Sequence, residues 1–173
     1  MSKPTKSDYF IKPPSKWRDI DSVPNCDAPL RHVVAVSWGD CDPAQIAYTA
    51  NIPKWALAAV EAWYRSCLGV GWFEINLDHG VGTPFASINL DFHAPVTPRA
   101  DMEITVLVSK LGNCSLTHAL EARQGDVLCW SGSTTAVFVQ TANLQPLQIP
   151  ENMRLAIRRY IDAQGDSRVD AQG

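Results

Sequence analysis

Residues 38–55 read Trp-Gly-Asp-Cys-Asp-Pro-Ala-Gln-Ile-Ala-Tyr-Thr-Ala-Asn-Ile-Pro-Lys-Trp. The glycine interrupts an alternating stretch that precedes it, and a polar segment around Pro43 follows. From Asn51 the apolar period changes from about two to about 3.6 residues. Asn51 is predicted to be the N-cap of a helix, and Pro53 suits its first turn. The stretch therefore predicts a junction between a strand and a helix.

The residues on either side of this junction support both elements. Alternation over 32–38 predicts a strand, and a helix is predicted to run from Asn51 to just before Gly69. Because the helical stripe is apolar along its length, a sheet or a second helix must cover it. The strand face carries His32, Val34, Val36 and Trp38, and the helical stripe carries Ile52, Trp55, Ala56, Ala59, Val60 and Trp63.

The remainder of the chain reads as a crossover, a run of strands and a closing helix. Residues 69–84 are glycine-rich, with a short helical piece expected around Trp72 and Phe73. A final helix is expected after Pro150, with Met153, Ile157, Tyr160 and Ile161 on one stripe. One long helix against one antiparallel sheet is an α+β arrangement. Strands are predicted at 87–93, 102–108, 114–123 and 127–140, the last with a bulge or bend near Gly132.

Composition limits the class of protein. The chain has 173 residues, a net charge of −3, 46% hydrophobic residues and 19% charged residues. This suits a folded domain, predicted at 31–173, behind a proline-rich extended arm at 1–30. The slight acidity argues against nucleic acid, and the lack of a run of about 18 apolar residues argues against a membrane span. Five cysteines without a CxxC pair and an N-terminus without a secretory pattern favour a cytoplasmic protein.

The junction closely resembles the signature of 4-hydroxybenzoyl-CoA thioesterase-type hotdog proteins. In that family Gly-Asp-Cys-Asp-Pro-Ala-Gly links a strand end to the loop that enters the central helix. The resemblance covers about 31–162 and continues through Gly82-Thr83-Pro84, Val137-Phe138-Val139 and Pro146-Leu147-Gln148-Ile149-Pro150. It implies a hotdog fold, in which an antiparallel five-stranded sheet wraps around one long central helix.

The resemblance also implies where the site lies. The family's catalytic carboxylate falls on Asp42, and a backbone N–H near Thr49 would bind the thioester oxygen. Two positions depart from the pattern, since Gln45 stands where the family has glycine and Thr49 where a tyrosine is usual. A backbone donor survives a change of side chain, whereas Gln45 could alter the loop geometry or enter the pocket. Substrate contacts are expected from Gln45, Tyr48, Trp55, Thr83 and Pro84.

Thioester hydrolysis explains why these residue types are useful together. The reaction needs a nucleophile or base and a donor for the developing oxyanion, and the leaving thiolate is already stable. A helix N-terminus offers unpaired N–H groups, one of which contributes on the order of 3 kcal/mol when aimed at the carbonyl. Asp42 could attack the carbonyl or deprotonate a water molecule, and the sequence leaves both roles open.

Other residues near the motif have plainer interpretations. An aspartate before proline is ordinarily a turn residue, and Asp40 could equally anchor the loop. Cys41 lies between two carboxylates that oppose thiolate formation, which favours a buried structural cysteine. Glu61 is the other candidate base, but with Arg65 it forms an i,i+4 pair typical of a solvated helix face.

Metal and phosphate sites receive little support. Asp91 and His93 share a strand face, but no third ligand stands at a recognisable spacing, so no metal is predicted. The phosphates of coenzyme A would need basic side chains. Basic residues are present, but by default they are interpreted as part of the charged protein surface. The available basic residues are Lys110, Arg123, Arg154 and Arg158.

The sequence therefore predicts an acyl-CoA thioesterase that releases a free acid, aromatic acids included, and coenzyme A. Two alternatives remain: a hotdog hydratase or dehydratase acting on an acyl thioester, and a non-catalytic acyl-CoA binding protein. No cofactor is expected, since coenzyme A is part of the substrate. The resemblance implies a homodimer or homotetramer with sites between subunits, and no nucleic-acid or membrane partner.

Overall fold

A computed structural model describes residues 26–166 of the chain. Most of the predicted arm at 1–30 lies outside these residues, so the arm stays a prediction. Three helices and seven strands follow one another along the described segment, with one 3-10 turn at Trp38–Asp40. In chain order they are β1 (Leu30–Val34), α1 (Asn51–Leu68), α2 (Trp72–Leu77), β2 (Val81–Gly82), β3 (Phe85–Phe92), β4 (Met102–Leu111), β5 (Ser115–Gln124), β6 (Val127–Val137), β7 (Val139–Gln140) and α3 (Glu151–Asp166).

Five strands form one antiparallel sheet in the order β1-β4-β5-β6-β3. The long hairpins β4–β5 and β5–β6 build its centre, while β1 and β3 are its two edges. Strands β2 and β7 pair separately as a small two-stranded sheet. The α+β class and the five antiparallel strands predicted from the sequence are therefore confirmed.

One face of the sheet carries the core. On β4 and β5 every second side chain is buried against the helices, as the period-2 alternation predicts. Helix α1 contacts β1, β4 and α3, so the helical layer contains α3 as well as the long helix. Within the described residues no helix is long and apolar enough to cross a membrane. The buried positions of the two central strands are Met102, Ile104, Val106, Val108, Leu116, His118, Leu120 and Ala122.

Helix α1 has nearly the predicted limits. It ends at Leu68, and Gly69 adopts the left-handed conformation that closes a helix (φ 68°). Its N-cap is Ala50, so the prediction of Asn51 as the cap was wrong. The Asn51 side-chain amide instead donates to the carbonyl oxygen of Asp40 at 2.9 Å, because it reaches back across the preceding loop.

Helix α3 forms hydrogen bonds with the edge strand β1 and its neighbour β4. The Tyr160 hydroxyl accepts a hydrogen bond from the backbone N–H of Leu30 at 2.7 Å and donates to the carbonyl oxygen of Val106 at 2.5 Å. One turn further on, the Gln164 side chain bonds both the N–H and the carbonyl of Val108. The stripe of Met153, Ile157 and Tyr160 is buried, as predicted.

Two strand limits differ from the expectation. Strand β1 ends at Val34 because Val34 pairs with Met102, the first residue of β4, and the pairing partner ends there. The last long segment has a bulge at Cys129, close to Gly132, where its pairing with β5 shifts, and it also breaks at Phe138, between β6 and β7. Gly132 itself lies against the neighbouring strand, where an added methyl group would collide with the carbonyl oxygen of Asn89.

Candidate active site

The loop between β1 and α1 is tied together by Asp40. Its carboxylate accepts hydrogen bonds from the Ser37 backbone N–H at 2.8 Å and the Ser37 hydroxyl at 2.6 Å. These bonds hold the pKa of the Asp40 carboxyl below its usual range, and the bond from the Ser37 hydroxyl has the larger effect. The Asp40 carbonyl oxygen accepts from the backbone N–H of Tyr48 and from the side chain of Asn51. Asp40 thus anchors the loop at both ends, in agreement with its plainer interpretation.

Asp42 begins a tight turn inside this loop. One of its carboxylate oxygens accepts the backbone N–H of Ala44 at 2.8 Å, the local bond expected of an aspartate before proline. The backbone of Asp42 bonds to Gln45 and Ile46. Within the described residues the second carboxylate oxygen accepts no hydrogen bond from the protein. The half-buried carboxylate is therefore rigidly oriented, with one oxygen free for water or substrate.

Gln45 keeps the geometry that glycine would have. Its backbone φ is 65°, in the left-handed region that costs a side-chain-bearing residue roughly 1–2 kcal/mol. The Gln45 N–H still donates to the Asp42 carbonyl at 2.9 Å, and its side chain is exposed. The departure from the family glycine therefore places a side chain in a backbone conformation that favours glycine.

Thr49 lies at the entrance of α1. The backbone N–H groups of its neighbours Tyr48, Asn51 and Ile52 all have carbonyl acceptors in this turn. In the described part of the chain the N–H groups of Thr49 and Ala50 have none, and the first turn of α1 contains no acidic residue and no side-chain cap. An unpaired donor thus adds to the partial positive charge of the helix N-terminus.

A cavity of about 390 Å³ opens beside this helix entrance. Thr49 is one of its walls, and so are the loop residue Ile46 and the first buried residue of the helix, Ile52. Asp42, Gln45 and Tyr48 belong to the same loop but do not line it, and Trp55 packs half-buried against the core. The complete lining is Ile46, Ala47, Thr49, Ile52, Phe92, His93, Ala94, Pro95 and Val96.

Thr83 and Pro84 lie elsewhere in the subunit. They line a second cavity of about 420 Å³, together with Trp72 of α2 and Phe85 at the start of β3. The two cavities involve opposite ends of β3, since Phe85 begins this strand and Phe92 ends it. Asp42 and Thr49 therefore lie in one loop before α1, whereas Thr83 and Pro84 line a different cavity.

The remaining candidates have structural partners. Glu61 forms the expected ion pair with Arg65 at 2.8 Å. The thiol of Cys41 contacts the carbonyl oxygen of Ser37 at 3.6 Å, and its side chain is half-buried. Arg154 donates to the carbonyl oxygens of Gly112 and Asn113, both at 2.9 Å. Among the described residues no group of three or more metal-ligating side chains comes together.

Sequence reasoning missed His93 and Phe92 as walls of the first cavity. His93 was noted only as a possible metal ligand, because alternation shows which face of a strand a residue occupies but not which loop packs beside it. The Asp42 loop packs beside the segment after β3 because the Ala47 N–H donates to the Val96 carbonyl oxygen at 2.8 Å. A proline-rich segment directly after an edge strand was the only signal for it.

Known proteins resemble this chain in both sequence and fold. A family profile described as the thioesterase-like superfamily matches residues 36–157. A thioesterase-superfamily structure from Jannaschia sp. CCS1 is 38% identical, with a TM-score of 0.74 over 80% of this chain and 96% of that one. A 1,4-dihydroxy-2-naphthoyl-CoA thioesterase from Synechocystis, 18% identical, has the same fold, with a TM-score of 0.68 over 74% of this chain and 94% of that one.

A curated relative is similar over a shorter stretch. The 4-hydroxybenzoyl-CoA thioesterase of Pseudomonas sp. (strain CBS-3) is 36% identical over 58 residues, which is 33% of this chain and 41% of the relative. The match thus spans less than half of that protein's length. The fold and these likenesses define a protein of the thioesterase class. The chain belongs to the thioesterase-like superfamily.

Proposed function

We propose that the protein hydrolyses acyl-CoA thioesters, with Asp42 and the backbone N–H of Thr49 as its catalytic groups. The observation that carries the proposal is that one loop holds both an oriented carboxylate with one free oxygen and an unpaired N–H at the start of α1. Cytoplasmic acyl-CoA would be the substrate, and no further cofactor is required. Because the curated relative is named for 4-hydroxybenzoyl-CoA, aromatic acyl groups are the first to test.

The proposed reaction follows from these two groups. The thioester carbonyl oxygen accepts the Thr49 N–H, so that negative charge developing on this oxygen is stabilised. The Asp42 carboxylate either attacks the carbonyl carbon, forming an anhydride that water then hydrolyses, or takes a proton from a water molecule that attacks directly. In both routes the C–S bond breaks, the thiolate of coenzyme A leaves, and one water molecule is consumed.

We also propose that the complete site forms between two subunits. Strand β3 is an edge strand whose outer side has no partner among the described residues. If two β3 strands pair antiparallel about a two-fold axis, the Phe92 end of one meets the Phe85 end of the other. The cavity containing Thr49 would then adjoin the cavity containing Thr83 and Pro84, with α1 as the central helix beneath a continuous sheet.

A thiol-release assay on the Asp42→Asn variant tests the catalytic role. We expect the variant to keep the wild-type circular dichroism spectrum and to lose at least about a hundredfold in kcat, as is typical when a catalytic base is removed. Asp101→Asn, a change at an exposed aspartate outside the loop, is the matched control and should retain activity. Wild-type turnover by Asp42→Asn would contradict the mechanism.

A second candidate function gains one observation. The Asp42 loop contains no histidine, which argues against a hydratase or dehydratase, yet His93 is among the residues that line the cavity beside Thr49. Loss of enoyl absorbance from a 2-enoyl-CoA, without release of thiol, would favour the hydratase. Binding of acyl-CoA with neither reaction would favour a non-catalytic protein.

A further inference from the structure

Cys26 and Cys67 form a pair of adjacent thiols at the edge of the core. Cys67 is buried in the last turn of α1, and Cys26 is half-buried, four residues before β1 begins. The two thiols share a hydrogen bond, although they are far apart in the sequence. The fold therefore brings together two side chains that can form a covalent bond with each other.

Helix α3 holds the two thiols side by side. The Cys67 sulfur lies 3.8 Å from the carbonyl oxygen of Ala156 on this helix. One turn further along α3, the Tyr160 hydroxyl accepts a hydrogen bond from the backbone N–H of Leu30 at 2.7 Å, which fixes the chain just after Cys26. Cys26 itself packs against the buried cluster that contains Cys67. The contact is thus set by the packing of α1, α3 and β1 and not by one side-chain rotamer.

The two thiols differ in reactivity. The hydrogen bond from Cys67 lowers the pKa of the Cys26 thiol, because it stabilises the thiolate more than partial burial opposes it. The same bond and burial raise the pKa of the Cys67 thiol. Since the thiolate is the nucleophile, the half-buried Cys26 is the thiol that reacts first. Cys67 is the neighbour that can resolve the product of that reaction.

We infer that Cys26 and Cys67 are a redox-active pair, which a hydroperoxide converts into a disulfide joining the segment before β1 to the last turn of α1. With hydrogen peroxide, the Cys26 thiolate attacks one oxygen, the O–O bond breaks, and hydroxide leaves and takes up a proton to become water. Cys26 is then a sulfenic acid. The Cys67 sulfur attacks the Cys26 sulfur and loses its proton, the S–O bond breaks, and a second water molecule leaves. Two thiols are oxidised and one peroxide is reduced to two water molecules.

The disulfide would close residues 26–67 into a covalent ring. This ring contains β1, the loop with Asp42 and Thr49, and nearly all of α1. Because a cross-link of this span restricts the unfolded chain, it stabilises the folded protein. In a reducing compartment the pair would rest as two thiols and respond only when the oxidant level rises. The pair is therefore a reversible stabiliser of the edge strand and the loop that follows it.

Peptide mapping of the full-length protein tests the pairing. The reduced protein is treated with one equivalent of hydrogen peroxide, the remaining thiols are blocked with N-ethylmaleimide, and the digest is analysed without reductant. We expect a cross-linked peptide joining Cys26 to Cys67 and a melting temperature about 5–10 °C above that of the reduced protein. Dithiothreitol should reverse both changes. None of these measurements depends on thioester hydrolysis, so the inference stands or falls separately from the proposed function.

Matched serine variants separate this pair from the other cysteines. Cys26→Ser changes a half-buried residue, and it should remove both the cross-linked peptide and the rise in melting temperature. Cys114→Ser, at another half-buried cysteine, should form the cross-link and gain stability as the wild type does. The inference is overturned if oxidation leaves Cys26 as a sulfinic acid without a cross-link, or if it joins other cysteines. A rise in melting temperature that persists in Cys26→Ser would also overturn it.

Discussion

His118 is a titratable residue enclosed entirely by the core. Its side chain is fully buried on β5, and its ring packs edge-on against Trp63 with 4.6 Å between ring centroids. Neither ring nitrogen forms a hydrogen bond with a described residue. Burial in these surroundings lowers the pKa of His118 to about 3, because the charged imidazolium would lose its hydration.

The buried imidazole predicts a loss of stability in acid. The unfolded chain protonates His118 below about pH 6.5, whereas the folded protein keeps it neutral to much lower pH. The unfolded state therefore binds more protons, and the free energy of unfolding should fall by up to about 1.4 kcal/mol per pH unit as pH drops from 6.5 towards 3. Urea unfolding of the wild type and His118→Leu at pH 7 and pH 5 measures this contribution. The variant should show the shallower dependence, and equal slopes would contradict the assignment.

At the same scale the local hydrogen bonds of the motif were more predictable than its surroundings. Asp42, Thr49 and the turn between them follow from contiguous residues, so their local bonds could be foreseen. The position of His93 beside the Thr49 cavity could not be foreseen, because it depends on a long-range bond between Ala47 and Val96 that no spacing in the sequence encodes.

At the scale of elements, the contact between β3 and β6 depends on one missing side chain. Gly132 pairs with Leu90, and a Cβ atom at Gly132 would lie only 2.3 Å from the carbonyl oxygen of Asn89. The neighbouring backbone is part of a paired strand and cannot easily move aside. The glycine is therefore required for close approach, not for a bend.

Gly132→Ala tests this requirement. We expect the free energy of unfolding to fall by about 1–3 kcal/mol, the usual cost of overpacking, as measured by urea denaturation. Ser133→Ala, a change at the next residue of the same strand, should have a smaller effect. An alanine variant as stable as the wild type would show that the strands separate more readily than the packing indicates.

Element limits could be predicted where the signal was local and not where it depended on a partner. Gly69 marks the end of α1 in the sequence and in the fold. The end of β1 at Val34 is set by the start of β4, and the break at Phe138 falls where the chain leaves β3 and β5 for β2. Both limits are consequences of pairing, so alternation within one segment could not reveal them.

For the whole molecule, the feature that bears most on assembly is the unpaired edge of β3. The strand is exposed along most of its length, including the apolar Ile88, which is 41% exposed. An unpaired apolar edge attracts another strand, and the proposed antiparallel pairing would cover it with a second copy of the chain. The same pairing would unite the two cavities that one subunit keeps apart.

Ile88→Lys should therefore convert an active dimer or tetramer into an inactive smaller species. In the paired arrangement two lysines would lie near each other across the two-fold axis, and like charges at that distance oppose association. Light scattering coupled to size exclusion measures the mass, and thiol release measures activity. Val33→Lys, at an exposed position on the opposite edge, is the control. A monomeric wild type, or a variant that keeps its mass, would contradict the proposed assembly.

The Tyr160 hydroxyl, which joins β1 and β4 to α3, also bears on how the chain folds during synthesis. The ribosome makes β1 before α3, yet the backbone N–H of Leu30 in β1 donates to a tyrosine of α3, which is made more than a hundred residues later. Until α3 has left the exit tunnel, β1 has its partner strand but not this link. Vectorial folding can thus assemble the hairpins of β4, β5 and β6 first, while the strand that leads into the Asp42 loop is secured last.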